Sequence, residues 1–202
     1  MIVDTATLDK ATAYQLMIGL IVPRPIAWVG TRQPGGPDNL APFSFFMGVQ
    51  SAPPILAFSV STGRGGTTKH TARNIEASGV FTVSLVEVPH FEAMHTSGGA
   101  WEESEFDVTG LARGVGTCVD APFVADARAA MECRLQQAVS FSHTTVYFGE
   151  VLCFHLAPSL LSEGVLDPSR PEPVARLGGD LYQLPGAQVS LARVAVPDAK
   201  TS

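Results

Sequence analysis

The sequence predicts a mainly β protein, an antiparallel barrel with a few short helices packed outside it. Three observations lead there. Six segments rich in β-branched and aromatic residues are bounded by Pro, Gly, Asn or Asp, as strands are. Three short helical patterns stand among them, too few for the regular alternation that builds a parallel sheet. The first two strand segments are joined across Gln33-Pro34-Gly35-Gly36-Pro37-Asp38, a connection that permits only a hairpin and so sets antiparallel pairing. Closing such a sheet on itself removes its exposed edges.

The elements follow in order. A helix over Asp9–Gly19 starts on an Asp suited to capping, and a strand over Pro25–Thr31 leads into the hairpin. Beyond the turn lie strands over Leu40–Gln50 and Ile55–Val60. A helix over Thr71–Ser78 stops at Gly79, where a left-handed residue is needed. Val80–Val86 is the next strand, and the helix over Pro89–Thr96 ends at Ser97-Gly98-Gly99. Met131–Ser140 and Thr144–Leu156 complete the strands. Leu160 to Pro173 reads as a Pro-rich surface excursion and Ala187–Ser202 as a weakly ordered tail, leaving residues 1–186 as one domain. A chain of 202 residues, 46% hydrophobic and 16% charged, suits a single core.

Composition narrows the partners. The net charge is −6 and the 13 Lys and Arg are scattered singly, so nothing marks a nucleic-acid surface or an anionic membrane as the target. The apolar stretches Leu16–Val22 and Val146–Leu156 fall short of the roughly 20 residues a bilayer span needs. Met1-Ile2-Val3-Asp4 opens without an export signal, so a soluble cytoplasmic protein with a small-molecule ligand is expected.

The spacing of Cys118, Cys133 and Cys153 fits neither a disulfide framework nor a zinc knuckle, and reduced, buried thiols are expected. His90 and His95, five apart, do not share a helix face as a metal pair would, so no metal is expected. His143 reads as a turn residue, and Glu102, Glu103 and Glu105 around Trp101 as a solvated acidic loop. Linear order assembles no Ser-His-Asp or Cys-His set, so no catalytic side chain is assigned.

Two stretches carry chemistry. Ser61-Thr62-Gly63-Arg64-Gly65-Gly66-Thr67-Thr68-Lys69-His70-Thr71 runs from a strand into a helix, concentrating Gly-freed amides, hydroxyls and cations at a helix start. Those are the parts of a phosphate nest. By composition an ordinary Gly/Thr surface loop fits equally well. A Rossmann fingerprint is incomplete here, and Lys69 lacks the preceding Gly of a P-loop. Asn39-Leu40-Ala41-Pro42-Phe43-Ser44-Phe45-Phe46 is a strand with an internal Pro, which marks an edge or a bulge. Such a strand suits a flat heteroaromatic ring, and a core strand with an edge proline suits the same residues.

Four motifs in order then resemble one family. They are Pro23-Arg24-Pro25-Ile26-Ala27-Trp28-Val29; Asn39 to Phe46; Phe58-Ser59-Val60 with Lys69-His70-Thr71-Ala72-Arg73-Asn74-Ile75; and Ala175-Arg176-Leu177-Gly178-Gly179-Asp180-Leu181-Tyr182. Together, from about Tyr14 to about Leu184, the chain resembles the flavin reductase-like family of FMN-binding split barrels. The resemblance implies a split β-barrel homodimer that binds FMN near the subunit interface and reduces flavin with NADH or NADPH, in some members for a partner monooxygenase. It also allows a flavoenzyme that retains FMN and acts on a small organic substrate, or a non-catalytic electron-transfer protein.

By matching position, Asn39, Ala41, Pro42, Phe43, Ser44 and Phe45 resemble the strand lining the isoalloxazine and ribityl chain. Ser59, Lys69 and Thr71 resemble the phosphate-facing set, Asn74 the helix residue that fixes the loop, and Arg24 a residue that reaches the phosphate or ring edge or serves the fold. Arg176 and Tyr182 resemble a late segment that closes over the site or meets the partner subunit. The sequence departs from the family pattern at His70, where Asp is frequent, at Met47, where a small or amide residue is, and at Ser84, where Asn is.

Overall fold

The computed structural model describes residues 1–63 and 66–192. Arg64 and Gly65 of the Gly/Thr loop, and residues 193–202 of the expected tail, lie outside the described residues. Residues 187–192 are exposed and carry no regular structure.

Helix α1 (Lys10–Leu20) is capped by Asp9, whose carboxylate accepts the Thr12 N–H at 2.7 Å. Strands β1 (Ala27–Arg32) and β2 (Asp38–Phe43) form the expected hairpin. They are followed by β3 (Phe46–Ser51), β4 (Pro54–Ser61), α2 (His70–Ser78), β5 (Val80–Ser84), α3 (Phe91–Ser97) and α4 (Glu105–Thr109). The short pair β6 (Arg113–Gly114) and β7 (Phe123–Val124) precedes the long hairpin of β8 (Ala129–Phe141) and β9 (Thr144–Leu156). Two small hairpins close the chain, β10 (Leu161–Ser162) with β11 (Val165–Leu166) and β12 (Ala175–Arg176) with β13 (Tyr182–Gln183).

The main sheet is antiparallel, with seven strands in the order β2-β1-β5-β8-β9-β4-β3. One expected strand is therefore two. Leu40–Gln50 breaks at Ser44-Phe45, and its halves become the opposite edges of the sheet. Pro42 offers no N–H to a ladder, and Ser44 is held by Arg24, whose Nε donates to its hydroxyl at 3.3 Å. The Ser59 N–H of β4 donates to the Phe45 carbonyl at 2.9 Å. The sheet curls until its edges meet at this corner, giving a split barrel.

Phe43, Phe58, Phe81 and Tyr147 fill the barrel, with ring centroids 5.3–5.9 Å apart along the chain of contacts. Gly149 of β9 sits against the Phe81 ring, where a Cβ would come within 2.3 Å of it. A second apolar layer lies outside β1, where Trp28, Leu40, Met94 and Phe106 pack under α3 and α4. Strand β1 is thus buried on both faces, and the Trp28 indole N–H donates to Ser97 Oγ at 2.9 Å.

Three expectations change. Helix α4 stands in the stretch read as a solvated acidic loop, and Glu105 is buried, accepting the Leu40 N–H at 2.9 Å. Of the cysteines only Cys133 is buried; Cys118 is exposed and Cys153 partly so. The excursion from Leu160 to Pro173 is tied down, because Leu160 is buried and the Glu172 N–H donates to buried Glu87. Glu87 is also gripped by both arms of the Arg128 guanidinium.

Glu132 of β8 plays a similar part. Its carboxylate is fully buried and accepts the N–H groups of Thr117, Cys118 and Val119 at 2.7–2.8 Å, with His155 Nε2 at 2.5 Å. Burial would raise its pKa, but those hydrogen bonds, Thr117 and His155 foremost, outweigh it and hold the group at about 2. The depressed value makes its contribution fully present above the ordinary Glu range and lost as pH falls toward about 2. Glu132→Ala is expected to cost roughly 3 kcal/mol at pH 7, near the free energy of such a shift. Denaturant melts from pH 7 to pH 3 should show the deficit shrinking as the wild type itself weakens; a deficit under about 1 kcal/mol at pH 7 would refute the assignment.

Candidate functional site

The two stretches singled out in the sequence, one expected to line the ring and one to face the phosphate, meet where α2 docks on the barrel. Asn39 and Thr71 are both buried, and the Asn39 amide donates to Thr71 Oγ1 at 3.0 Å. One turn further along α2, the Asn74 amide donates to Thr31 Oγ1 at 3.0 Å, also in the interior. These two bonds dock the start of α2 on the β1–β2 hairpin. Lys69 lies over the Phe43 ring, its ammonium 5.5 Å from the centroid, and Ser59 is bonded through its backbone to Phe45.

The start of α2 is unusual. Helices normally begin on Ser, Thr, Asp or Asn, whose oxygen accepts a first-turn N–H. Here the cap position holds Lys69, whose side chain makes no capping hydrogen bond. A cation stands where an acceptor is normal, so the first-turn amides and the ammonium together form a positive lip. Although Lys69 is exposed as a residue, desolvation of its ammonium pulls its pKa below the ordinary lysine value. An approaching anion would relieve that cost. His70, the first residue of α2, is exposed beside it.

Strand β2 is the other side of the mouth. On an antiparallel edge, alternate residues turn their N–H groups away from the sheet. Leu40 gives its outward N–H to Glu105, and Pro42 has none. Ala41 pairs with Val29 and stays half-buried, as do Pro42 and Ser44, while Phe43 turns into the core. Phe45 is 37% exposed at the corner.

Arg24 organises the corner from below. Its Nη1 donates to the carbonyls of Ile18 and Ile21, each at 2.7 Å, and Nη2 to that of Leu177 at 2.9 Å. Its guanidinium also lies 5.8 Å from the Phe45 ring centroid. With Nε on Ser44, this buried residue ties the end of α1, the β2–β3 corner and the late segment together. The late segment is a small clasp: Arg176 pairs with Arg24 through the backbone and stacks over Tyr182 at 4.3 Å. The Tyr182 hydroxyl meets His95 Nδ1 at 3.1 Å.

Of the departures from the family pattern, Met47 is exposed on β3, and buried Ser84 accepts the Val124 N–H at 3.1 Å. His90 is buried beside Asp126, its Nε2 3.1 Å away, and far in role from His95. Sequence reasoning missed Glu105. An acidic run beside a Trp carries no mark of burial, and only the contact with Leu40 reveals it.

An antiparallel split barrel with a cationic lip at one mouth is the class that this fold and site define. The flavin reductase like domain model matches residues 19–171, and the chain belongs to the flavin reductase-like family. It is 37% identical over 177 residues to an uncharacterized protein of Aquifex aeolicus, with 86% of this chain and 90% of that one covered. Its structure is similar to nitrilotriacetate monooxygenase component B of Bacillus cereus, with a TM-score of 0.89, 28% identity, and 95% and 98% of the two chains covered. It is also similar to 2-nitrobenzoate 2-nitroreductase of Pseudomonas fluorescens, with a TM-score of 0.87, 28% identity, and 98% and 97% covered. Among the described residues no helix is long and apolar enough to cross a membrane.

Two outcomes test this geometry. Arg24→Met should lose on the order of 3 kcal/mol in denaturant melts, since it strands buried carbonyls of α1 and the late segment; a loss within about 0.5 kcal/mol would show that the clasp holds nothing. Burial raises the pKa of Glu105 against the lowering effect of the Leu40 N–H. Its share of stability is therefore full below the ordinary Glu range and lost as pH rises through the raised value. The stability of Glu105→Gln relative to wild type should improve from pH 4 to pH 7, and a flat difference would contradict the burial.

Proposed function

We propose that this protein binds FMN at the mouth formed by β2, the β2–β3 corner and the start of α2, and that it is an NAD(P)H-dependent flavin reductase. The observation that carries the reading is the uncapped start of α2 with Lys69 at its cap position. A phosphate dianion supplies the acceptor that this helix lacks, and the ammonium, the first-turn amides and the Ser59 and Thr71 hydroxyls are the groups to hold it. Asn39 and Asn74 position that lip through their interior bonds to Thr71 and Thr31. Ala41, Pro42, Ser44 and Phe45 line the ring and ribityl chain, with Phe45 as apolar wall and the backbone of the corner facing the polar edge, while Phe43, whose ring is in the core, adds only its main chain. Arg24 keeps that corner in place.

Held by these residues, FMN would supply the hydride-acceptor chemistry toward NADH or NADPH. The chain's own task is to orient the ring, exclude water from one face and leave the other open, which requires no acid or base side chain. Likeness to a monooxygenase component B supports delivery of reduced flavin to a partner monooxygenase. Likeness to a nitroreductase supports a second reading, a retained FMN that reduces a small organic substrate. A spectrum before and after NADH or NADPH without oxygen separates them. Bleaching of added flavin with fast release fits the first reading, and bleaching of a bound flavin followed by its reoxidation by a nitroaromatic fits the second. A flavin reduced only by a protein donor would point to an electron-transfer module.

The reading includes a homodimer. Only Ile18 of α1 is buried, whereas Tyr14, Leu16, Met17 and Leu20 are exposed, as are Met47 and Val49 of β3. Apolar surface of that extent on both sides of the corner fits a second copy completing the site. Light scattering on the purified protein should give twice the 21.3 kDa chain mass.

Lys69→Ala should weaken FMN about tenfold, the scale of one charge-assisted contact, and leave riboflavin nearly unchanged. Flavin fluorescence titrations measure both ligands. Because the lysine pKa is lowered, wild-type affinity for FMN should also fall at alkaline pH, where riboflavin affinity holds. Equal losses for the two ligands would show that the phosphate lies elsewhere.

A further inference from the structure

Away from the mouth, two thiols share a pocket of polar contacts. The sulfurs of Cys118 and Cys153 and a carboxylate oxygen of Glu132 all lie within 4.8 Å of one another. Their proximity is built by the fold. Glu132 and Cys153 are cross-strand partners on β8 and β9, so their side chains leave the same face. The Glu132 carboxylate then captures the consecutive N–H groups of Thr117, Cys118 and Val119, which sets Cys118 beside Cys153. His155 completes the carboxylate shell and packs on Phe123 with ring centroids 4.6 Å apart. Cys118 itself opens on a hollow of about 370 Å³ lined in part by Arg32, Val115, Thr117 and Asp120.

Three potential ligands so close, two thiols and a carboxylate, suggest a cation, but the carboxylate argues against one. A carboxylate offers about four lone-pair positions, and Glu132 already accepts from three amides and His155. It acts as a structural hub with no vacancy for a metal. What remains is the pair of sulfurs, with the Cys153 thiol set against both Cys118 and the carboxylate.

We infer that Cys118 and Cys153 are a redox pair that closes to a reversible disulfide under a peroxide-class oxidant, fastening the 114–121 loop to β9. Cys118, exposed on its loop, is the sulfur oxidised first. Its thiolate attacks the peroxide O–O bond, forming a sulfenic acid and releasing one water once the leaving hydroxide takes a proton. The Cys153 sulfur then displaces hydroxide from that sulfur, the S–S bond forms, and the proton from Cys153 leaves with it as a second water. Two thiols lose two electrons and two protons, and one peroxide becomes two waters. Burial, with Cys118 and Glu132 nearby, pushes the Cys153 thiol up, which suits the resolving rather than the attacking partner. Cys133 is excluded by burial in the barrel.

The test is a titration of the full chain with hydrogen peroxide, followed by alkylation, intact mass and peptide mapping. The expected product is about 2 Da lighter, as two lost hydrogens require, links the peptides of Cys118 and Cys153, and returns to two alkylatable thiols with dithiothreitol. Its melting temperature should rise on the order of 5 °C, from the chain cross-link. Cys153→Ser should trap a sulfenic acid on Cys118 that dimedone labels, while Cys118→Ser should leave Cys153 a thiol. Two sulfurs that stay alkylatable in the oxidised wild type, or a cross-link through Cys133, would overturn the proposal. So would one zinc per chain lost in both serine variants.

Discussion

The corner at Ser44 and Phe45 is the constraint on which the rest of the structure depends. It carries the chain from one edge of the seven-stranded sheet to the other within two residues, so the sheet must curl into a barrel. Everything at the mouth is built around it. Arg24 holds Ser44 from one side and Ser59 bonds the Phe45 carbonyl from the other, while α2 docks at the opposite end of β2, on Asn39 beside the hairpin turn. A residue such as Pro42, which would weaken a central strand, is tolerated because β2 is an edge.

A second theme is the use of buried carboxylates as main-chain caps. Glu87, Glu105 and Glu132 are each less than a tenth exposed, and each accepts N–H groups from a segment distant in sequence. Each pins one segment to another: Glu87 the late segment to the stretch after β5, Glu105 the strand β2 to α4, and Glu132 the loop around Cys118 to β8. Their pKa values diverge for a physical reason. Glu87 and Glu132 have several donors and are lowered, whereas Glu105, with burial dominant over its donors, is raised. The mouth uses the opposite device, since α2 begins without an acceptor and with a cation. An anion is what that arrangement lacks, and this underlies the proposed phosphate site.

What the sequence determined by itself was local and periodic. Asp9 as a cap, Gly79 as a left-handed stop, the β1–β2 turn and the long β8–β9 pair follow from chemistry that acts within a few residues. Ordered motifs likewise gave the family, because they need only residue identity and sequence order. The tertiary structure alone decided where Leu40–Gln50 breaks, since no residue there announces that its halves become opposite edges of the sheet. It alone made Glu105 a buried cap, gave Arg24 four hydrogen bonds within the fold, and put Cys118 beside Cys153. The deciding partners lie far along the chain, Leu177 for Arg24, Leu40 for Glu105 and Cys153 for Cys118. Burial and pairing of a polar side chain are set by what folding brings against it, and that information resides in the packed sheet rather than in any stretch of sequence.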